Sequence, residues 1–286
     1  MPAIVAAALA CARSSASAPG TVGPPSDPSP TAVVDIDPGN RSTLYAVVWA
    51  DEESGLAVRQ PAGITGTTVS VLPSDARGLL LTGGSSRLGS SLWVEIVRPE
   101  GGTGWVQSWN LTEDVPADRF CADPAVTTRI SILRQALLQR DGPGLAGVVN
   151  PKRGLAIRHD WWNLEVILPA ESVPGVFDAS LPDEWGLQSA SQSPILGTFR
   201  DVILPQLDEV WSGPVREACD KLIIGETGRP AQWPAEYATL NFYSFHLPAG
   251  PTETVFGWRT WATAFEYLQG APYLAALIQY RGEIAP

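Results

Sequence analysis

Nucleophilic or acid–base catalysis in this chain could use only a few side chains, because its 286 residues include just two histidines. These are His159 and His246. A thiol beside an imidazole can act as nucleophile and general base, so Cys219 and His246, oriented by an acid, form one candidate pair. Two other expectations weaken this pair: Cys219 is predicted to lie in the middle of a helix and to form a disulfide.

Glu266 is a carboxylate inside the otherwise apolar run 261–267. With Arg259 and His246 beside it, Glu266 could line a polar pocket. The alternative, which we favour, is a cross-strand ion pair or a solvent-facing position on an alternating strand. Asp160 completes a set of four candidate catalytic residues. Their convergence on one cleft would indicate an enzyme, whereas their dispersal would indicate a binding protein.

Recognised catalytic and metal-binding motifs are missing from the sequence. It contains no Gly-x-Ser-x-Gly elbow, no His-Glu-x-x-His pair and no Cys-x-x-Cys zinc spacing. The sequence therefore predicts neither a metal site nor a cofactor. The formal net charge of −11 disfavours binding to a phosphate backbone, so we expect no nucleic-acid partner. No run of about 18 apolar residues predicts a membrane-spanning helix.

The N-terminal segment indicates export. Residues 1–11 are an apolar, Ala-rich run that ends in Leu-Ala-Cys11. This run resembles the signal and lipobox of bacterial lipoproteins, in which the Cys is diacylated and becomes the mature N-terminus. It departs from that pattern in Ala8, where Leu is usual, and in having no basic segment before it. Residues 12–40 are rich in Ser and Pro, which predicts a disordered tether.

Two further cysteines, Cys121 and Cys219, follow in the chain. In an exported protein an even remaining pair predicts one disulfide, with Cα atoms within about 7 Å of each other. In a reducing compartment the same two thiols would instead be small buried apolar side chains. The export signal favours the disulfide.

Short apolar runs separated by turn residues fill residues 44–112 and predict a small all-β barrel. The segment 83–91 is expected to lengthen one loop. The expected strands are Leu44–Trp49, Leu56–Arg59, Thr68–Leu72, Gly78–Leu81, Leu92–Val97 and Gly104–Val106.

Four motifs in this stretch are similar, in the same order, to those of bacterial SH3-like (SH3b) domains. They are Leu-Ala-Val-Arg from Leu56, Val-Ser-Val-Leu-Pro from Val69, Leu-Trp-Val-Glu-Ile from Leu92 and Gly-Trp-Val-Gln-Ser from Gly104. The resemblance implies a barrel of about five or six strands. Members of this family often bind peptidoglycan stem peptides or serve as spacers.

The resemblance leads to expectations about three tryptophans. Trp93 and Trp105 are expected to be largely buried as core or rim residues of the barrel. Trp105 and Trp109 are also the candidate ligand-binding residues, because Trp109 stands where the family has a smaller residue and could add an aromatic surface.

Residues 118–286 are predicted to form an α+β domain with an antiparallel sheet. Asp123 and Pro124 suit the cap and first turn of a helix that Gly142-Pro143-Gly144 would end. A kink or a break is expected at Pro205. The expected helices run over residues 124–140, 198–211 and 214–224. The expected strands run over residues 240–246, 255–267 and 272–280, with a hairpin turn at 269–270.

The fold class expected from sequence is therefore multidomain, with a small SH3-like barrel followed by an α+β domain. The expected function is that of a non-catalytic exported cell-envelope protein that binds cell wall or protein. The alternative is a cell-wall hydrolase targeted by its SH3-like domain. Peptidoglycan or an envelope protein is the expected partner, with a membrane contact through a lipid on Cys11. The expected location is the outer face of the bacterial cytoplasmic membrane or the extracellular space.

Overall fold

The computed structural model describes residues 36–226 and 230–282. Within them the protein is mostly β, with an antiparallel sheet that curls into a half-barrel and a few helices. The predicted signal segment with Cys11 lies outside the described residues, as do residues 12–35 of the predicted tether. Ile36, within the range expected for the tether, packs against the core of the first sheet.

The first sheet, called the N-terminal sheet below, has seven strands in the spatial order β3-β2-β6-β5-β4-β1-β7, all paired antiparallel. Their bounds are β1 Leu44–Val47, β2 Leu56–Gln60, β3 Thr67–Leu72, β4 Leu79–Leu88, β5 Ser91–Val97, β6 Thr103–Gln107 and β7 Leu111–Glu113. A single 3-10 turn, Ser108–Asn110, leads into β7. Six of these strands were expected from the sequence, and β7 was not.

The segment 83–91 belongs to the sheet and is not an enlarged loop. Strand β4 continues to Leu88, which lies opposite Ser91 of β5. Gly89 has a left-handed φ of 61°, which lets the two strands meet in a tight turn. The sequence expectation was wrong here because the second half of β4 is polar and Gly-rich, with no apolar alternation to mark a strand.

Trp93 is buried, as expected, but Trp105 is only half-buried. On β6 the buried residues Gly104 and Val106 face the core. Because successive side chains of a strand point to opposite faces, Trp105 lies on the outer face of the sheet. The expectation of two buried tryptophans was therefore half right.

Three helices follow the N-terminal sheet: α1 Ala117–Ala122, α2 Pro124–Gln139 and α3 Gly142–Val148. The Asp123 side chain accepts a hydrogen bond from the backbone N–H of Ala125 at 2.8 Å, which confirms the expected cap. Gly142-Pro143-Gly144 begins α3, contrary to expectation, because the Asp141 side chain caps that helix at Gly144 N. Helix α2 ends instead at Arg140, which adopts a left-handed φ of 59°.

The next helical stretch begins at Thr198, as expected. It is a π-helix over Phe199–Ile203 that continues as helix α4, Leu204–Ser212. The expected third helix over 214–224 is wrong: this segment contains strand Arg216–Cys219, which pairs with its neighbour along the whole length of the strand. Tertiary pairing overrides helix propensity in this short segment, and Cys219 is on a strand and not within a helix.

The second large sheet, called the C-terminal sheet below, has six strands in the spatial order β12-β13-β14-β15-β8-β9. Strand β8 runs parallel to β15, and the other pairs are antiparallel. A separate ribbon pairs β10 with β11. The bounds are β8 Leu155–Arg158, β9 Val166–Leu168, β10 Asp183–Leu187, β11 Pro194–Gly197, β12 Arg216–Cys219, β13 Asn241–Leu247, β14 Arg259–Leu268 and β15 Ala271–Arg281.

The hairpin between β14 and β15 turns at Gln269-Gly270, as expected. Both residues have positive φ, 53° and 77°, which matches the twist of a two-residue hairpin loop. This turn matters for function because it brings the end of the C-terminal sheet against strand β7 of the N-terminal sheet.

The C-terminal sheet is covered on both faces. One face packs against the helices, where Leu133, Leu207 and Trp211 meet Trp261 and Phe265. The other face carries small side chains and is covered by a loop-rich segment that includes Tyr237, Leu240 and Trp233. The small residues of that face include Ala262, Ala264 and Ala276.

Cys121 and Cys219 form a disulfide, with 5.8 Å between their Cα atoms and 98 residues between them in sequence. This confirms the sequence prediction that the two cysteines lie within bonding range. The bond ties α1 to the edge strand β12.

Candidate functional site

Glu266 is 2% exposed and lies on the face of β14 that is turned away from the helices. Its Oε2 accepts a hydrogen bond from Arg153 Nε at 2.8 Å, and its Oε1 accepts one from Asn150 Nδ2 at 2.5 Å. Burial raises the pKa of the Glu266 carboxyl, and the Arg153 guanidinium opposes that shift. The expected ion pair therefore exists, but it is buried and long-range and does not cross between neighbouring strands.

His246 is 5% exposed on β13, and its ring tilts against that of Trp258. Its Nδ1 lies 2.9 Å from the Thr260 hydroxyl, which itself donates to the Ile223 carbonyl at 2.7 Å. Because the hydroxyl has only one proton to donate, Nδ1 of His246 must be the donor of the pair. Burial, and after it the charge of the Arg216 guanidinium, lower the pKa of His246, which favours the neutral form of the imidazole.

Arg259 and Asp160 take part in other ion pairs. Arg259 Nε lies 2.9 Å from Glu209, and its Nη1 lies 3.4 Å from Glu253. The Asp160 carboxylate accepts from Arg281 at 2.6 Å. Arg259 and Asp160 thus each balance the charge of a neighbouring side chain of opposite sign.

Of the four candidate catalytic residues, Glu266 lies apart, whereas the other three lie at the other end of the C-terminal sheet. His246 is paired next to Arg259 in the register of β13 and β14, and Asp160 contacts Arg281, which is opposite Arg259. Arg259 and Glu266 stand near opposite ends of β14, seven residues and roughly 23 Å apart at the usual rise of a strand. Asp160 follows β8, two strands away from β14 in the sheet. The Cys219/His246 pair is excluded as well, because the Cys219 sulfur is in the disulfide. Each of the four is held by a partner of its own, and none of them lines the cleft described below.

The two large sheets meet around Arg153, a residue that the sequence did not single out. Besides Glu266, its guanidinium donates to the carbonyl oxygens of Trp109 and Leu111, just before and at the start of β7. It also stacks over the Trp109 ring at 4.7 Å. Arg153 thus links the C-terminal sheet to the end of the N-terminal sheet, and Trp109 is half-buried in that junction.

A second cluster supports the same junction. Arg158 forms ion pairs with Glu236 and, at 4.0 Å, with Glu165, and the Tyr237 hydroxyl donates to Glu165. Burial raises the pKa of Glu165, and Arg158 opposes the shift. The Trp49 ring packs edge-on against Tyr237 at 5.1 Å. The ion pairs lie within the C-terminal part of the chain, and Trp49 connects them to the N-terminal sheet through its ring and through its backbone N–H, which donates to the Glu236 carbonyl at 2.9 Å.

A cleft of about 830 Å³ opens beside this junction. It lies where the first described residues, strands β1 and β7, and the β14–β15 hairpin come together. Both apolar and polar residues line it. Residues that characterise its wall are Ile36, Asp37, Tyr45, Glu113, Arg119 and Leu268. Its volume is in the range of sites that hold small ligands or short peptide segments.

Carboxylates dominate the charge of this cleft. Asp37, Glu113 and Asp114 line it against a single guanidinium, that of Arg119. Tyr45 lies directly opposite Glu113 in the pairing of β1 with β7. Burial, then the charges of Glu113 and Asp37, raise the pKa of the Tyr45 hydroxyl to about 12, so that hydroxyl stays protonated beside both carboxylates.

Sequence reasoning gave the cleft residues no functional role, although Tyr45 lies on an expected strand. Glu113 ends a three-residue strand that the sequence analysis did not expect, and Asp37 lies in the range assigned to the tether. Arg153 and Asn150 sit in the turn before β8. In the sequence, Glu266 alone indicated the contact between the two sheets, because a carboxylate in an apolar strand requires a partner.

Nowhere in residues 36–226 and 230–282 do three or more His, Cys, Asp or Glu side chains gather so that they could hold a metal ion. No helix in these same ranges has the length and apolar character needed to cross a membrane. Comparisons with protein-family models, curated proteins and solved structures found no match.

Proposed function

We propose that this chain is a non-catalytic, exported cell-envelope protein that binds cell-wall peptide through a single unit made of both sheets. The observation that carries the proposal is the commitment of every candidate catalytic residue to a separate structural pair. The disulfide supports export, because such bonds persist in oxidising compartments.

The N-terminal sheet is, in this proposal, an SH3-like barrel. The motif residues that resemble the family lie on strands in the expected order: Leu56 begins β2, Leu92 lies in β5 and Gly104 lies in β6. A 3-10 turn and the short strand β7 follow the last motif. These features support the assignment, and fold alone does not specify a ligand.

The binding unit includes the C-terminal sheet, because the junction is extensive and polar. Thr239 donates to the Val47 carbonyl, Arg77 donates to the Thr239 carbonyl at 2.7 Å, and Asn241 donates to the Val115 carbonyl at 2.7 Å. With the Arg153 contacts, these bonds leave the two sheets little freedom to move independently. The cleft beside the junction is the binding site we propose.

The test is sedimentation of the full chain with purified peptidoglycan, together with release of dye from dye-labelled peptidoglycan. We expect the protein to sediment with the polymer and to release no dye. Dye release that is lost in the His246→Ala variant would overturn the non-catalytic assignment and favour the hydrolase alternative. Failure to sediment would overturn the binding role.

A further inference from the structure

A second, smaller pocket lies at the edge of the C-terminal sheet that β12 forms. Its volume is about 170 Å³. A space of this size holds one functional group, since pockets for whole ligands usually measure about 300–1,000 Å³. The residues that characterise it are Ile130 and Ser131 of α2, Trp211 of α4, Glu217 of β12, and Tyr243 and Phe245 of β13.

Strand register and helix periodicity bring these side chains together. Glu217 is opposite Phe245 in the pairing of β12 with β13, so both side chains lie on the face of the sheet that packs against the helices. Ile130 and Arg134, four positions apart, belong to one stripe of α2. The Trp211 ring meets that of Phe245 edge-on at 5.7 Å. The pocket therefore combines aromatic and aliphatic walls with polar groups.

The indole of Trp211 gives the first indication of a ligand. The side chain is 3% exposed, and its buried Nε1–H has no hydrogen-bond acceptor in the part of the chain that the structure describes. The indole N–H groups of Trp185, Trp258 and Trp261, which are also buried, each donate to a backbone carbonyl. Because a buried donor without an acceptor is destabilising, an oxygen atom of a ligand would complete this wall of the pocket.

Two opposite charges give a second, independent indication. Arg134 and Glu217 both line the pocket, yet neither forms an ion pair within residues 36–226 and 230–282. Arg134 donates one hydrogen bond, to the Trp211 carbonyl at 2.7 Å, and keeps further N–H donors. Burial, then the charge of Glu217, raise the pKa of the Tyr243 hydroxyl, which stays a protonated donor beside that carboxylate. The pocket thus offers several donors and one carboxylate acceptor, with no net charge.

This combination fits a neutral amide that carries a small apolar group. An anion would bring its charge next to Glu217, and a cation would bring its charge next to Arg134. An amide can use a donor and an acceptor without placing a charge between aromatic rings. A methyl group can pack against Ile130 and Phe245. An acetamido group consists of these three parts and is small enough for the pocket.

We propose that this pocket binds the acetamido group of an N-acetylated sugar, with the carbonyl oxygen accepting from Trp211 Nε1 and the amide N–H directed to Glu217. The sugar ring lies at the mouth, where Arg134 and the Tyr243 hydroxyl bind its hydroxyl groups. The glycan strands of the bacterial cell wall are built from N-acetylated sugars. The inference rests on the proposed cell-wall role and adds to it a glycan site separate from the peptide cleft.

The experiment measures binding of N-acetylglucosamine to the full chain by saturation-transfer difference NMR, which resolves the acetyl methyl signal. Glucosamine and glucose are the matched ligands, since they keep the ring and lack the acetyl group. We expect saturable binding with the strongest transfer to the methyl group, and at least tenfold weaker binding of the other two sugars. Equal binding of all three sugars, or no transfer to the methyl group, would overturn the inference.

A variant that fills the pocket tests its location. Ser131→Leu adds bulk from an exposed position on α2, and Thr128→Leu is its control, because Thr128 is exposed on the same helix and does not line the pocket. Both hydroxyls donate to the backbone carbonyl four residues earlier, so each variant loses the same kind of bond. We expect Ser131→Leu to abolish the methyl signal and Thr128→Leu to keep it. Equal signals would exclude this pocket as the site.

Two further variants test the hydrogen bonds. Trp211→Phe removes the N–H and keeps an aromatic ring, and we expect it to weaken binding about five- to tenfold, because the ligand carbonyl loses its donor. Thermal unfolding shows whether this buried substitution leaves the fold intact. Glu217→Ala, at an exposed position, removes the acceptor and should weaken binding to a similar degree. Unchanged affinity in both variants would refute the proposed contacts.

Sedimentation with peptidoglycan separates this inference from the proposed function. A chain that sediments but shows no binding of N-acetylglucosamine that Ser131→Leu abolishes keeps its proposed function and loses the acetamido site. A chain that binds the sugar in this way but does not sediment keeps the site and loses the cell-wall role. We expect both activities, with sedimentation only partly reduced in Ser131→Leu, because the peptide cleft remains intact.

Discussion

The N-terminal and C-terminal sheets bury their residues in different patterns. On β6 of the N-terminal sheet, buried and partly exposed residues alternate. On β14 of the C-terminal sheet, every residue from Thr260 to Tyr267 is buried. A sheet with one face on a core leaves room for polar side chains on the other face, whereas a sheet covered on both faces must supply each of its polar side chains with a partner.

The difference explains where polar groups are found. In the C-terminal sheet, Thr260, His246 and Glu266 are buried and each is hydrogen-bonded to another element. The outer face of the N-terminal sheet keeps Trp105 and Glu95 partly exposed. The polar residues that the sequence offered as catalytic candidates are thus hydrogen-bonded within or beside the packed C-terminal sheet, and the candidate cleft lies at the border of the two sheets.

The largest expected loss of stability comes from removing the disulfide that holds the edge of the C-terminal sheet. Replacing both cysteines, as Cys121→Ala and Cys219→Ala, opens a loop of 98 residues. Chain entropy predicts a loss of about 4–5 kcal/mol in the free energy of unfolding. Urea unfolding of the variant and of the wild type, oxidised and reduced, measures it. Equal midpoints for oxidised and reduced wild type would contradict the bond.

The next largest loss of stability is expected when the ion pair at the junction of the two sheets is broken. Glu266→Ala leaves the Arg153 guanidinium buried without its carboxylate, and we expect it to cost about 3–5 kcal/mol. The double variant Arg153→Met with Glu266→Leu should recover part of the loss, because no unpaired charge remains. Urea unfolding measures both variants, and Glu171→Ala is the surface control. A loss no greater than that of the control would mean that the pair is dispensable.

A core substitution in the N-terminal sheet tests whether the two sheets unfold together. Ile96 is fully buried, and Ile96→Ala should cost about 2–5 kcal/mol. If the junction couples the sheets, native-state hydrogen exchange should show the same loss of protection for the slowest amides of β5 and of β14. Loss confined to β5 would show that the sheets unfold separately and would break the single-unit assignment.

The smallest effect is the pH dependence carried by His246. Its folded-state pKa is lowered from the ordinary value of 6.5, so the unfolded chain binds a proton there more readily than the folded one. Stability from this group is complete above pH 6.5 and declines as the pH falls below it. His246→Asn, which can still donate to Thr260, should flatten the decline. An unchanged profile between pH 7 and 5 in thermal denaturation would contradict the assignment.

Much of the local structure could be predicted because single residues determine it. Asp123 caps α2, Gln269-Gly270 turns the last hairpin, and the two cysteines pair, each for a reason contained in the residue types themselves. The segment 214–224 could not be predicted, since its apolar spacing fits a helix and its strand exists only through pairing with β13.

The candidate site was hidden from sequence for the same reason. Tyr45, Glu113 and Asp37 acquire a common role only when β1 pairs with β7 and the first described residues fold back against them. Arg153 likewise has no signature until Glu266 is placed opposite it. Contacts between residues more than about 60 positions apart depend on topology, which local propensity does not encode.

The position of the disulfide also bears on aggregation. Cys219 is the last residue of β12, and β12 is an edge strand of the C-terminal sheet. While the bond to α1 is intact, β12 is pinned over the apolar, aromatic-rich strand β13 and protects its backbone. After reduction only the backbone pairing holds β12, and we expect β12 to detach more readily, so that β13 would present unpaired N–H and C=O groups to strands of other molecules. The same covalent bond that stabilises the fold thus also blocks self-association through that edge.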